Sequence, residues 1–143
     1  MGRNYEISVT KVGNEIAVFV PQDETQPKRH PHEFHNPGLK VLCPSTPSDA
    51  KGLLLAAIRD PDPVIFFEPK RVYRSYREAV PEGDYTVEIG KAKTVVEGTD
   101  VTVITWGSMV FQCLEALDKL PEDLSVELID LRTLNPLDRD AFC

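Results

Sequence analysis

Three histidines, His30, His32 and His35, sit at H-x-H-x-x-H spacing in the polar, proline-rich stretch PQDETQPKRHPHEFHNP (21–37). Imidazoles this close can ligate a transition metal. Glu33 is the only further donor beside them, so the spacing reads as a solvated histidine-rich loop, with His35 next to the Asn36-Pro37-Gly38 turn. Glu68 and Lys70 follow the apolar run Val64-Ile65-Phe66-Phe67. Acid and base at a strand end is where α/β proteins place sites, and such a pair can move protons. With Arg71, Tyr73, Arg74 and Arg77 just beyond, the reading preferred here is a salt-bridged join whose Arg and Tyr face a neighbouring chain. Trp106-Gly107-Ser108 holds one glycine, too little for a phosphate loop. Trp106 reads as core or interface, and Cys113 stands in a helical stretch with no histidine beside it, which argues against a nucleophile. Asp130 and Arg132 are expected to pair and tie a strand end to its loop.

These residues need elements to hold them. Residues 5–20 carry two alternating runs around Val12-Gly13-Asn14-Glu15, a hairpin signature. Leu39 to Cys43 is a short strand stopped by Pro44. Ser45 or Thr46 caps a helix, Pro47 suits its first turn, and Asp49 complements its dipole. Leu53, Leu54, Ala57 and Ile58 give that helix an apolar face, and Pro61 and Pro63 end it before the strand Val64 to Phe67. Strand, helix and strand with a short return predict a parallel βαβ unit. Residues 68–99 read as a charged linker, with short extended pieces at Tyr85–Ile89 and Lys93–Val96. A second βαβ unit follows: strand Val101–Thr105, a turn with Ser108 as helix cap, a helix marked by Val110, Leu114, Leu117 and Leu120, and strand Val126–Leu131. Pro136-Leu137-Asp138 is placed to start a further helix.

Composition narrows the function classes. The net charge is −7, and residues 1–40 are balanced at five basic and five acidic, so the excess lies in residues 41–143, with eleven against eighteen. An acidic chain argues against nucleic acid as partner, because phosphates demand a basic footprint. No apolar run approaches the roughly 20 residues that cross a bilayer, and MGRNYEISVTKVG lacks the apolar stretch of a signal peptide. Cys43, Cys113 and Cys143 are few, widely spaced and odd in number, as expected of reduced thiols in a cytoplasm, or in a mitochondrial matrix in a eukaryote.

The ordered combination HNPGLKVLCPSTPSDAKGLLLAAIRDPDPVIFFEPKRVYR, EGTDVTVITWGSM and VELIDLRTLNPLD resembles the beta subunit of thiamine-diphosphate-dependent 2-oxo acid dehydrogenases, a transketolase-like family. FFEPK-x-x-YR looks most like the branched-chain type. The resemblance covers about residues 35–143. It implies an α/β fold: the end of a pyrimidine-binding parallel-sheet domain (35–67), an interdomain linker (68–99) and the start of a transketolase C-terminal-like domain (100–143), with residues 1–34 an unassigned hairpin and loop. It also implies thiamine diphosphate and Mg²⁺ in the intact assembly, an alpha subunit and a second beta subunit in an alpha2-beta2 heterotetramer, and a lipoyl acyltransferase core. The helix-end turn aligns with part of a structural potassium site, which would fall on the Ala57 carbonyl, Asp60 and Asp62. The region with the pyrimidine-contacting glutamate has no counterpart, so the chain alone is expected to bind no cofactor and catalyse nothing. The alternative is a non-catalytic assembly module derived from that subunit.

Overall fold

The computed structural model describes residues 8–12, 15–19, 38–74 and 76–142. The histidines of the 30–35 stretch, the 21–37 loop and Cys143 lie outside them. Strands β1 (Ser8–Val12) and β2 (Glu15–Phe19) pair antiparallel, Thr10 opposite Ala17, as the alternating runs imply. Strand β3 (Lys40–Leu42) then leads into helix α1 (Pro47–Arg59) and strand β4 (Val64–Phe66), with β3 and β4 parallel in the register Val41 to Ile65.

Local chemistry starts α1 where the cap residues predict. Thr46 is extended (φ −108°, ψ 156°), so its Oγ1 accepts the Asp49 amide at 3.2 Å, and Pro47 occupies the first turn, where no amide donor is needed. Leu53 is fully buried, but Leu54 and Ile58 are 41% and 72% exposed. The predicted apolar face is therefore wider than the buried one, because the sheet under α1 has only three short strands.

A 3₁₀ turn at Lys70–Val72 follows β4. Residues 81–87 are strapped along α1. Lys51 Nζ donates to the Pro81 carbonyl at 2.7 Å, Arg59 pairs with Asp84 at 2.8 Å, and Tyr85 Oη donates to the Ser48 carbonyl at 2.8 Å. Gly52 permits this close approach, since a Cβ there would sit 2.6 Å from Val87 Cγ2. Tyr85–Ile89 forms no strand, whereas Lys93–Val96 is strand β5 and pairs antiparallel with a strand of the second sheet.

That sheet is built from β6 (Val101–Thr105), helix α2 (Met109–Leu117) and β7 (Val126–Asp130), with β6 and β7 parallel as expected. Ser108 adopts a helical conformation (φ −66°, ψ −19°) and its side chain makes no cap hydrogen bond, in contrast to the predicted cap. After β7 the chain forms β8 (Thr133–Asn135) and a 3₁₀ turn at Arg139–Ala141. The residues before Pro136 are thus a strand, and β8 crosses back to pair antiparallel with β3. The result is two sheets, ordered β1-β2-β6-β7-β5 and β4-β3-β8. Ile104, Ile129 and Leu131 form the core of the larger sheet, with Ala92, Trp106, Leu134 and Phe142 packed on it, so Trp106 lies half-buried against that core. Side chains as fully enclosed as Leu128 and Ile129 contribute about 2 kcal/mol each.

Candidate functional site

The two sheets meet at the C-terminal ends of β3 and β7, and that junction holds the densest polar chemistry among the described residues. The chain leaves β3 through Cys43, Pro44 and Ser45, and the Cys43 amide donates to the Arg132 carbonyl at 2.8 Å. Ser45 Oγ donates to Asp130 Oδ2, while Asp130 Oδ1 accepts the Arg132 amide at 3.1 Å. Arg132 has φ 53°, a left-handed conformation that turns its guanidinium back toward α1. Nη1 reaches Asp49 Oδ1 at 3.0 Å, Nε and Nη2 reach the Lys91 carbonyl at 3.2 and 2.9 Å, and Nη2 also reaches the Ala92 carbonyl at 3.1 Å. Lys93 Nζ lies 3.6 Å from the other Asp49 oxygen, which also accepts the Thr46 hydroxyl at 3.0 Å.

The sequence-based expectation that Arg132 pairs with Asp130 is therefore corrected. Asp130 takes the Arg132 backbone amide, and the guanidinium serves Asp49, because the left-handed turn at Arg132 aims its side chain away from Asp130. Burial pushes the Asp130 carboxyl up to about 6, and the charge of Asp49 adds to the rise. The hydrogen bonds from Ser45 and the Arg132 amide, and the Arg132 charge, work in the opposite direction without cancelling it.

Beside this junction, a cavity of about 340 Å³ opens at the C-terminal ends of the parallel strands β3 and β4. Pro44, Pro47, Phe66 and Val72 supply its apolar wall, and Glu68 and Tyr73 its polar rim. Glu68 accepts the Tyr73 hydroxyl, and this contact raises the Tyr73 phenol above its usual range. Asp49–Arg132, at 6% and 12% exposure, is the more buried of the ion pairs that join the two halves, and Lys70 stays exposed. Arg71, Tyr73, Arg74 and Arg77 are exposed as well, while Tyr76 stacks on Phe111 of α2 at 4.5 Å between ring centroids.

The turn after α1 brings Asp60 and Asp62 together around Lys40. Its Nζ lies 2.7 Å from both Asp60 carboxylate oxygens and 3.1 Å from Asp62. Hydrogen bonding to the carboxylates holds the Lys40 ammonium above its ordinary pKa, and the same bond holds Asp60 below its own. The Ala57 carbonyl accepts the Asp60 amide at 3.3 Å. Cys113 is partly buried, and burial pushes its thiol up, away from nucleophilic use.

The contacts of Ser45 with Asp130 and of Asp49 with Arg132 were missed by sequence reasoning. Ser45 and Asp130 are 85 residues apart and Asp49 and Arg132 are 83 apart, with no local pattern linking them. Among the described residues no group of three or more His, Cys, Asp or Glu side chains is placed to hold a metal ion, and no helix is long and apolar enough to cross a membrane.

The arrangement matches known proteins in two segments. The family described as "Transketolase, pyrimidine binding domain" matches residues 29–75, and "Transketolase, C-terminal domain" matches residues 90–143. The Pyruvate dehydrogenase E1 component subunit beta of Bacillus subtilis is 57% identical over 107 residues, which is 74% of this chain and 33% of that protein. The mitochondrial 2-oxoisovalerate dehydrogenase subunit beta of Dictyostelium discoideum is 58% identical over 106 residues, 73% of this chain and 29% of that one. Among solved structures, "Split gene transketolase, inactive beta4 tetramer" superposes with a TM-score of 0.61 at 26% identity, covering 76% of this chain and 35% of the other. The chain thus spans about a third of the length of the relatives it matches. It is an α/β chain whose residues 29–75 are similar to the transketolase pyrimidine-binding domain and whose residues 90–143 are similar to the transketolase C-terminal domain.

Proposed function

We propose that this chain is part of the beta subunit of a thiamine-diphosphate-dependent 2-oxo acid dehydrogenase, the component that decarboxylates a 2-oxo acid and passes the acyl group to a lipoyl domain. The observation that carries the reading is 57–58% identity to two such subunits over 106–107 residues. FFEPK-x-x-YR favours a branched-chain substrate, and the partners of the complete subunit are an alpha subunit, a second beta subunit and a lipoyl acyltransferase core.

Thiamine diphosphate supplies the carbanion chemistry of this family. The described residues do not fit it or its Mg²⁺, because the acids at the strand ends are already engaged: Asp49 by Arg132, Asp130 by Ser45 and Glu68 by Tyr73. Their work is architectural, holding the pyrimidine-binding half against the C-terminal half. At the end of α1, a potassium ion would rely on main-chain carbonyls such as that of Ala57, since the carboxylates of Asp60 and Asp62 already pair with Lys40.

The test is calorimetric titration of the purified chain with thiamine diphosphate and Mg²⁺, alongside a decarboxylation assay. The expected result is no saturable heat and no turnover. Turnover that disappears when the cofactor is omitted would overturn it. A second reading, a non-catalytic assembly module, is supported by the exposure of Arg71, Tyr73, Arg74 and Arg77. Co-expression with a cognate alpha subunit separates the two. A fragment restores activity when the rest of the beta subunit is supplied, whereas a module binds without doing so.

A further inference from the structure

The second sheet contains a strand that neither family match explains. Strand β6 has β7 on one side and β2 on the other, parallel to it from Ile16 opposite Val101 to Phe19 opposite Ile104. The β1–β2 hairpin, Ser8 to Phe19, lies outside both matched segments, which begin at residues 29 and 90. Without β2, one whole side of β6 would present unpaired amides and carbonyls, the template on which strands of other molecules add. With the hairpin in place that side becomes interior, and the sheet's outer strand is β1.

We propose that the Ser8–Phe19 hairpin is an intramolecular edge cap, which closes β6 and keeps the second sheet from recruiting a strand of another molecule. Two features make the cap separable from the rest of the fold. It joins through a parallel pairing, which no tight turn can make and which needs a long connection between the strands. Its main contact with the rest of the described fold is one ladder, β2 on β6.

Amide hydrogen exchange on the full chain tests this, with mass in solution measured in parallel. The expected result is protection of residues 15–19 alongside that of Val101–Thr105, in a monomer. Free exchange in 15–19 beside a protected β6 would overturn the proposal. Val18→Pro removes a donor that faces β6 in the middle of β2, since backbone groups alternate sides along a strand and those of Ala17 face Thr10 of β1. It should raise exchange in β6 by about tenfold or more and shift the chain toward oligomers, with α1 still protected. Unchanged β6 exchange in a monomeric variant would overturn it. Should Val18→Pro leave the chain unfolded, the paired substitution Ala17→Cys and Thr102→Cys decides. Those residues are register partners on neighbouring strands, within reach of a disulfide. A link within one chain is expected, and no link, or a link only between two chains, refutes the cap.

Discussion

Replacing Asp130 with asparagine isolates the electrostatics of the junction. The side chain is fully enclosed, and its carboxyl is raised from 3.8 to about 6, mainly by burial. A shift of that size is worth about 3 kcal/mol of differential stability. The sign follows from proton binding. Between about pH 4 and pH 6 the folded chain holds a proton that the unfolded chain has released, so this group's contribution is fully present below pH 4 and is lost as the pH rises through about 6. Asparagine keeps the shape and has no charge to bury. It can accept the Arg132 amide through its oxygen and donate to Ser45 through its nitrogen. Urea unfolding of both proteins at pH 4.5, 6 and 8 is the assay. Relative to wild type, Asp130→Asn should gain about 2 kcal/mol between pH 4.5 and pH 8, since part of the full effect is already lost by pH 4.5. A stability difference between the two proteins that is the same at pH 4.5 and pH 8 would refute the buried, high-pKa assignment. A wild-type chain that gains more than the variant as pH rises from 4.5 to 6 would show that Asp130 is instead held low by its donors.

Substitutions at two further positions probe the architecture. Arg132→Ala leaves Asp49 buried without its main counter-charge and strips the Lys91 and Ala92 carbonyls of a donor, so urea unfolding should show a loss of roughly 3 kcal/mol or more. Arg132→Lys should recover little of it, since one ammonium cannot reproduce the planar fork. Gly98→Ala would drive a methyl into the Val126 carbonyl carbon and the Glu127 amide, and should cost roughly 1–3 kcal/mol in the same assay.

What could be read from the sequence was local. Thr46-Pro47 announces the start of α1 because capping involves neighbours only. Pro61 and Pro63 announce its end, and the short return to Val64 implies the parallel pairing of β3 with β4. What escaped depends on what covers a surface. Leu54 and Ile58 stand at core spacing, but spacing defines a face without specifying its neighbour. Ser108 is a good cap by residue type, yet its backbone is already helical. Thr133–Asn135 is too short to show a period and is ordered by β3, more than 90 residues earlier. The junction is the extreme case, since four side chains from opposite ends of the sequence meet with no periodicity to announce them.

The pairing of β3 with β8 also bears on how fast this molecule folds. The Asn135 side-chain Nδ2 donates to the Leu39 carbonyl at 2.6 Å across 96 residues, and β2 meets β6 across a comparable length of chain. Neither contact can form until most of the chain has been gathered, so the entropy of closing those loops is lost before the ladders reward it. The chain therefore has a high contact order for its size, and its nascent βαβ pieces must wait, with strand edges uncovered, for sequence from the far end to arrive.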